Sequence, residues 1–100
     1  MSYALIRQAI LERHQVHAVL RGRFRELCPY VLGTKNGRAQ ALFFQFGGKS
    51  RRGLQPGGDW RCLPIDELTD VSVREGPWRG EDGYDPCQSC VDEVDVEVAG

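Results

Sequence analysis

Three arginines at alternate positions, Arg21, Arg23 and Arg25, have the spacing in this 100-residue chain that most invites chemistry. In an extended strand, positions i, i+2 and i+4 project from one face, so the three guanidinium groups would form a cationic stripe. Phe24 and Tyr30 lie close by in sequence, and Arg38 and Arg61 add charge farther on. Small β folds hold single-stranded nucleic acid with such mixtures. Charges follow the phosphates and rings stack on bases, at about 1–3 kcal/mol per stacked base. Arg21, Arg23, Arg25, Tyr30, Arg38 and Arg61 are therefore the candidate ligand-binding residues, for a nucleotide or single-stranded nucleic acid. The competing reading is a solvated surface, where arginines of strands and loops usually lie.

A second group with chemical potential is Cys87-Gln88-Ser89-Cys90. Two thiolates at this spacing make half of a tetrahedral zinc site. Cys87 and Cys90 are thus candidate metal ligands, with zinc as the candidate cofactor. His14 and His17 could complete the set only by folding back, or two chains could share a site. A redox C-x-x-C normally opens a helix within a βαβ unit, whereas Pro86 precedes this one. The neighbouring acids Asp85, Asp92 and Glu93 would raise the thiol pKa values and lower reactivity. Incidental thiols are the third alternative. Cys28 and Cys62 fall in apolar, strand-like segments and read as small buried hydrophobes. Disulfides are not expected if the chain is cytoplasmic.

No nucleophile–base pair or carboxylate constellation emerges, and the two histidines read as surface or half-buried residues, so an enzyme is not expected. The glycine-rich segment GGKSRRGLQPGG (47–58) carries Lys49, Arg51 and Arg52 but lacks the G-x-x-x-x-G-K-[ST] spacing of a phosphate loop.

Charge is unevenly divided. Residues 1–61 hold eleven Lys/Arg against three Asp/Glu, and residues 62–100 hold two against eleven, although the net charge is only −1. A basic body with an acidic tail suggests either an anionic partner or internal pairing. The apolar residues of the N-terminus are interrupted by Arg7 and Gln8, so no signal-peptide core forms and a cytoplasmic location is expected. No apolar run approaches the roughly 20 residues of a membrane span, so no membrane partner is expected.

The elements that must position these residues follow from periodicity. Leu5, Ile6, Ala9 and Ile10 mark one face of a helix over 2–13. From Val16 the period becomes two, predicting a first strand to Leu20 and a turn at Arg21-Gly22. Residues 23–32 form a second strand, with Pro29 confined to an edge, bulge or strand end. Asn36-Gly37 is a hairpin turn into a third strand, 38–46, whose apolar residues on both faces make it central. A fourth strand covers 60–63, a short turn follows through Leu68, and a fifth strand covers 70–74. Residues 91–98 form either a sixth strand, with Val94, Val96 and Val98 on one side, or a disordered acidic tail. A helix followed by five short strands fits a small antiparallel β-barrel.

The segments RELCPYVLG (25–33), GRAQAL (37–42) and RCLPIDELTDV (61–71) carry a resemblance to the WYL domain family. Arg25, Leu27, Pro29, Leu32 and Gly33 match the first family pattern, and Gly37, Arg38 and Leu42 match the second. Arg61, Leu63, Ile65, Asp66, Leu68 and Val71 match the third. Gln40 and Ala41 occupy the positions of the name-giving Trp and Tyr. The resemblance implies a mainly β, Sm/SH3-like antiparallel barrel with an N-terminal helix over residues 1–76; the acidic C-terminal extension, 77–100, lies outside it. It further implies a regulatory, ligand-sensing module, here without the helix-turn-helix that usually accompanies it. Two alternatives stand beside it. One is a protein-interaction or homodimerisation module whose tail completes a sheet or covers the basic face. The other is a zinc-stabilised domain built on Cys87 and Cys90.

Overall fold

The computed structural model describes residues 2–49, 56–85 and 88–98. One α-helix, α1 (Ser2–Glu12), precedes six strands: β1 (Gln15–Leu20), β2 (Arg23–Lys35), β3 (Arg38–Gly48), β4 (Asp59–Pro64), β5 (Leu68–Arg74) and β6 (Glu93–Glu97). All pairings are antiparallel. The strand path runs β4-β3-β2-β1-β5, and β6 joins β2 beyond the end of β1. The expected mainly β architecture with a leading helix is present.

The connection between β4 and β5 dictates the shape. Neighbouring strands lie about 4.8 Å apart, so a flat sheet would separate the two ends of the path by about 19 Å. Only a 3₁₀ turn, Ile65–Glu67, joins them, and such a turn advances about 2 Å per residue. The sheet must therefore curl until its two ends approach. The chain accordingly measures 29 × 28 × 25 Å. No ladder links β4 to β5 among the described residues, so the curl does not close by hydrogen bonding.

Each strand is placed by its own chemistry. Arg21 and Gly22 turn β1 into β2 with φ of 51° and 77°, and Asn36 and Gly37 do the same for β2 and β3 with 53° and 79°. Pro29 cannot donate to a ladder, and the β2–β3 register shifts between Pro29 and Val31. The strand β3, apolar on both faces, lies between β2 and β4.

Cross-strand partners share a face, and the register separates two. Val16, Ala18 and Leu20 oppose Leu27, Arg25 and Arg23. Gln45 opposes Leu27, and Arg61 opposes Phe43. This inner face holds most of the aliphatic core, with α1 adding Ile6, Ala9 and Ile10 to the same cluster. The outer face carries Cys28, Phe44 and Trp60, which oppose one another across β2, β3 and β4.

The chain beyond β5 covers that outer face. Tyr30 is fully buried, with Trp60, Trp78 and Tyr84 rings at 4.8, 5.1 and 5.0 Å. Its hydroxyl donates to the Arg79 carbonyl at 2.5 Å. Farther along, Cys90, Val91, Val96 and Val98 enter the main core. The acidic segment 93–97 is an ordered strand. Gly33 is required where it docks, because a Cβ there would collide with the Glu93 carbonyl. The β2–β6 register shifts between Leu32 and Gly33, which turns Val94 outward to 48% exposure while Val96 stays buried. The expected alternation of three inward valines therefore holds only for Val96 and Val98.

Candidate basic site

The six arginine and tyrosine candidates do not converge. Arg21, in the β1–β2 turn, pairs with Glu67 at 2.7 Å. Arg38 reaches Asp66 at 2.9 Å and the same Glu67 at 2.5 Å. Donation to the Asp66 and Glu67 carboxylates pushes the Arg38 guanidinium pKa above its ordinary range, and Arg38 in turn holds the Glu67 carboxyl below its own. These two arginines brace the 3₁₀ turn against the hairpins. Tyr30 is sealed under Trp78 and Tyr84, so it presents no ring to a ligand. Burial raises the pKa of its hydroxyl strongly. The expected arrangement of Phe24 and Tyr30 flanking the arginines is also corrected. Phe24 opposes Val19 and packs edge-on against His17, on the face away from Arg23 and Arg25.

Arg23, Arg25 and Arg61 remain on the inner face, near the end of the β2–β3 ladder, where Arg25 opposes Gly48. The geometry at Arg25 is unusual. It is only 6% exposed, and its Nη1 donates to Gln45 Oε1 at 3.2 Å. Its Nε is buried without a hydrogen-bond partner. No carboxylate among the described residues forms an ion pair with it. Burial first, then the positive charges of Arg61, Arg23 and Arg21, lower its pKa. A buried cation without a countercharge is costly, and like charges around it add to the cost.

Gln45 fixes this group. It is fully buried, and its Nε2 donates to the carbonyls of Gly47 at 3.0 Å and Lys49 at 3.1 Å. Its Oε1 is thereby oriented toward Arg25. Arg61 lies in the same field, with Nη2 3.4 Å from Asp59 and Nη1 donating to the Trp60 carbonyl at 3.3 Å. Gln45 escaped the sequence reading, although a lone amide inside the apolar run Phe43–Phe44–Gln45–Phe46 was its available signal. Arg51 and Arg52 lie outside the described residues.

The acidic segment works elsewhere. Asp95 pairs with Arg7 at 3.3 Å and accepts from the Tyr3 hydroxyl at 2.7 Å. Glu81 pairs with Arg13 at 3.1 Å, and Asp92 lies 3.9 Å from Lys35. None of these ion pairs involves Arg23, Arg25 or Arg61.

The cysteines depart from the sequence reading. Cys62 and Cys90 form a disulfide with Cα atoms 5.6 Å apart. Cys62 is exposed and oxidised, not a buried hydrophobe. Cys90, expected as a zinc ligand, has its sulfur committed to that bond, so it offers no thiolate to a metal. Cys87 lies outside the described residues. Among the described residues no three His, Cys, Asp or Glu side chains cluster in a way that would hold a metal ion. Cys28 is buried and free, and burial raises its thiol pKa. Among the described residues no helix is long and apolar enough to cross a membrane.

No protein-family model, curated protein or solved structure matches the chain.

Proposed function

We propose that this chain is a binding module for an anionic ligand of the nucleotide or single-stranded nucleic-acid class. In this reading it is a WYL-like regulatory domain and not an enzyme, with the curled sheet serving as an Sm/SH3-like frame. The observation that carries the reading is Arg25. Its guanidinium is buried beside Gln45, within the positive field of Arg23 and Arg61, and no carboxylate among the described residues pairs with it. A phosphate would supply the missing countercharge and an acceptor for Nε. Arg23, Arg25 and Arg61 are the proposed ligand residues, while Arg21 and Arg38 support the turn between β4 and β5. A cytoplasmic location belongs to the same proposal.

The competing interaction or homodimer reading has the tail complete a sheet or cover the basic face, in its own chain or a neighbour's. β6 completes the sheet on β2 of its own chain, so that pairing needs no second copy.

Fluorescence anisotropy with a labelled single-stranded oligonucleotide at low salt, with nucleotides as competitors, tests the proposal. Binding is expected for the full chain. Affinity should fall as salt rises, because phosphate contacts release counterions. Arg25→Gln should weaken binding about tenfold or more, in line with the roughly 1.5–3 kcal/mol of a charged hydrogen bond. Absence of saturable binding by both oligonucleotide and nucleotides would reject the reading.

A further inference from the structure

The Cys62–Cys90 disulfide lies on the outer face, in a setting independent of the basic site. Its two residues differ sharply in exposure: Cys62 is exposed on β4, whereas Cys90 is 4% exposed. Both residues line a depression of about 240 Å³ together with Leu42, Trp60, Gln88 and Ser89. Of the two, the more exposed residue offers its sulfur to a thiol entering the depression.

We propose that this disulfide is a covalent docking site for small aliphatic thiols of the glutathione type, with Cys62 as the acceptor sulfur. A thiol entering the depression loses its proton, and its thiolate attacks Cys62 Sγ. The new sulfur–sulfur bond forms as the Cys62–Cys90 bond breaks. The electron pair of the broken bond leaves on Cys90, which takes up the proton that the incoming thiol released. One thiol and one disulfide stand on each side, so no further oxidant or reductant is needed.

The structure prepares both products. The Ala41 carbonyl lies 3.6 Å from Cys90 Sγ and can accept from the thiol that exchange creates there. The segment around Cys90 is also held without the disulfide. Gln40 Nε2 donates to the Cys90 carbonyl at 2.8 Å, the Gln88 amide bridges to Val91, and Val91, Val96 and Val98 are buried in the core. Exchange therefore leaves the fold standing and adds a substituent at the cavity beside Trp60. In a glutathione-rich compartment an exposed disulfide of this kind is the labile one.

Native incubation of the full chain with reduced glutathione, acid quenching and peptide mapping by mass spectrometry tests the proposal. The same treatment of Cys87→Ser prevents the neighbouring thiol in the sequence from intercepting the adduct. The expected result in both proteins is a glutathione mixed disulfide on Cys62, with Cys90 released as a thiol and the circular dichroism spectrum unchanged. An adduct on Cys90, or no adduct without denaturant, would overturn it. A second measurement compares single-thiol reactivity. Cys90→Ser should expose a Cys62 thiol that iodoacetamide modifies at least about tenfold faster than it modifies Cys90 in Cys62→Ser, since access governs the rate. Equal rates would also contradict the proposal.

Discussion

The two charged regions of this chain meet the same problem in opposite ways. On the side of α1 and the β2–β3 hairpin, the acidic C-terminal segment brings a carboxylate to each of three cations: Asp95 to Arg7, Glu81 to Arg13 and Asp92 to Lys35. On the inner face near the end of the β2–β3 ladder, Arg25 is buried with a glutamine for company and Arg61 and Arg23 nearby. The first region is electrostatically complete and largely exposed, where ion pairs contribute little to stability. The second is incomplete and buried, where an unpaired charge is expensive. The charge split of the sequence is thus not a basic body shielded by its own tail. The tail pairs with the cations of one region and, among the described residues, brings no carboxylate to Arg25 in the other.

The largest effects should come from separating the outer face from its cover. Tyr30→Ala removes the ring on which Trp60, Trp78 and Tyr84 converge, and should cost about 3–5 kcal/mol in a denaturant titration. The double substitution Cys62→Ala/Cys90→Ala opens a loop whose ends are 28 residues apart in sequence, and should cost roughly 3–4 kcal/mol in the same measurement. A loss near zero would mean that the C-terminal segment does not depend on the crosslink.

The basic region should behave in the reverse sense. Arg25→Met deletes an unpaired buried charge and keeps an unbranched side chain of similar reach. Without ligand, its unfolding free energy should equal or exceed that of the parent chain, while anion binding is lost. A loss of several kcal/mol would show that Arg25 is satisfied internally, which would remove the basis of the comparison.

The smallest effects belong to the completed region. Asp95→Asn should change stability by about 1 kcal/mol or less near neutral pH. Its signature lies at alkaline pH. Burial, together with the hydrogen bonds to Asp95 and Glu97, pushes the Tyr3 and Tyr84 pKa values up to about 12. A pKa raised in the folded state means that the folded chain holds the proton more tightly. The stability it contributes is therefore complete below pH 10 and is lost as pH rises from 10 through 12. Asp95→Asn should reduce this alkaline loss in unfolding midpoints recorded across that range.

Much of the fold was legible because local chemistry and global fold agree. Asn36-Gly37, the bulge at Pro29, the doubly apolar β3 and the helix face of Ile6, Ala9 and Ile10 each followed from a local rule. The site was less legible for a physical reason. Alternation places Arg21, Arg23 and Arg25 on one face of an ideal strand, but it cannot say which face turns inward. The register with Ala18 and Leu20 sends Arg23 and Arg25 to the core side, and the left-handed φ of Arg21 takes that residue out of the strand toward Glu67. Tyr30 was chosen for its ring, yet the ring is consumed by Trp78 and Tyr84 from 48 and more residues downstream. The Cys62–Cys90 bond is equally non-local, and no spacing rule for neighbouring cysteines reaches across that separation.

The central claim is that the inner-face arginines, and not the cations paired by the tail, receive the anion. Amide chemical-shift mapping during titration of a single-stranded oligonucleotide, repeated with a mononucleotide, tests it most directly. The account predicts saturable shifts concentrated at Arg23, Arg25, Gln45 and Arg61, with Arg7, Arg13 and Lys35 unmoved. Shifts centred on those three residues, or none at any ligand concentration, would contradict it.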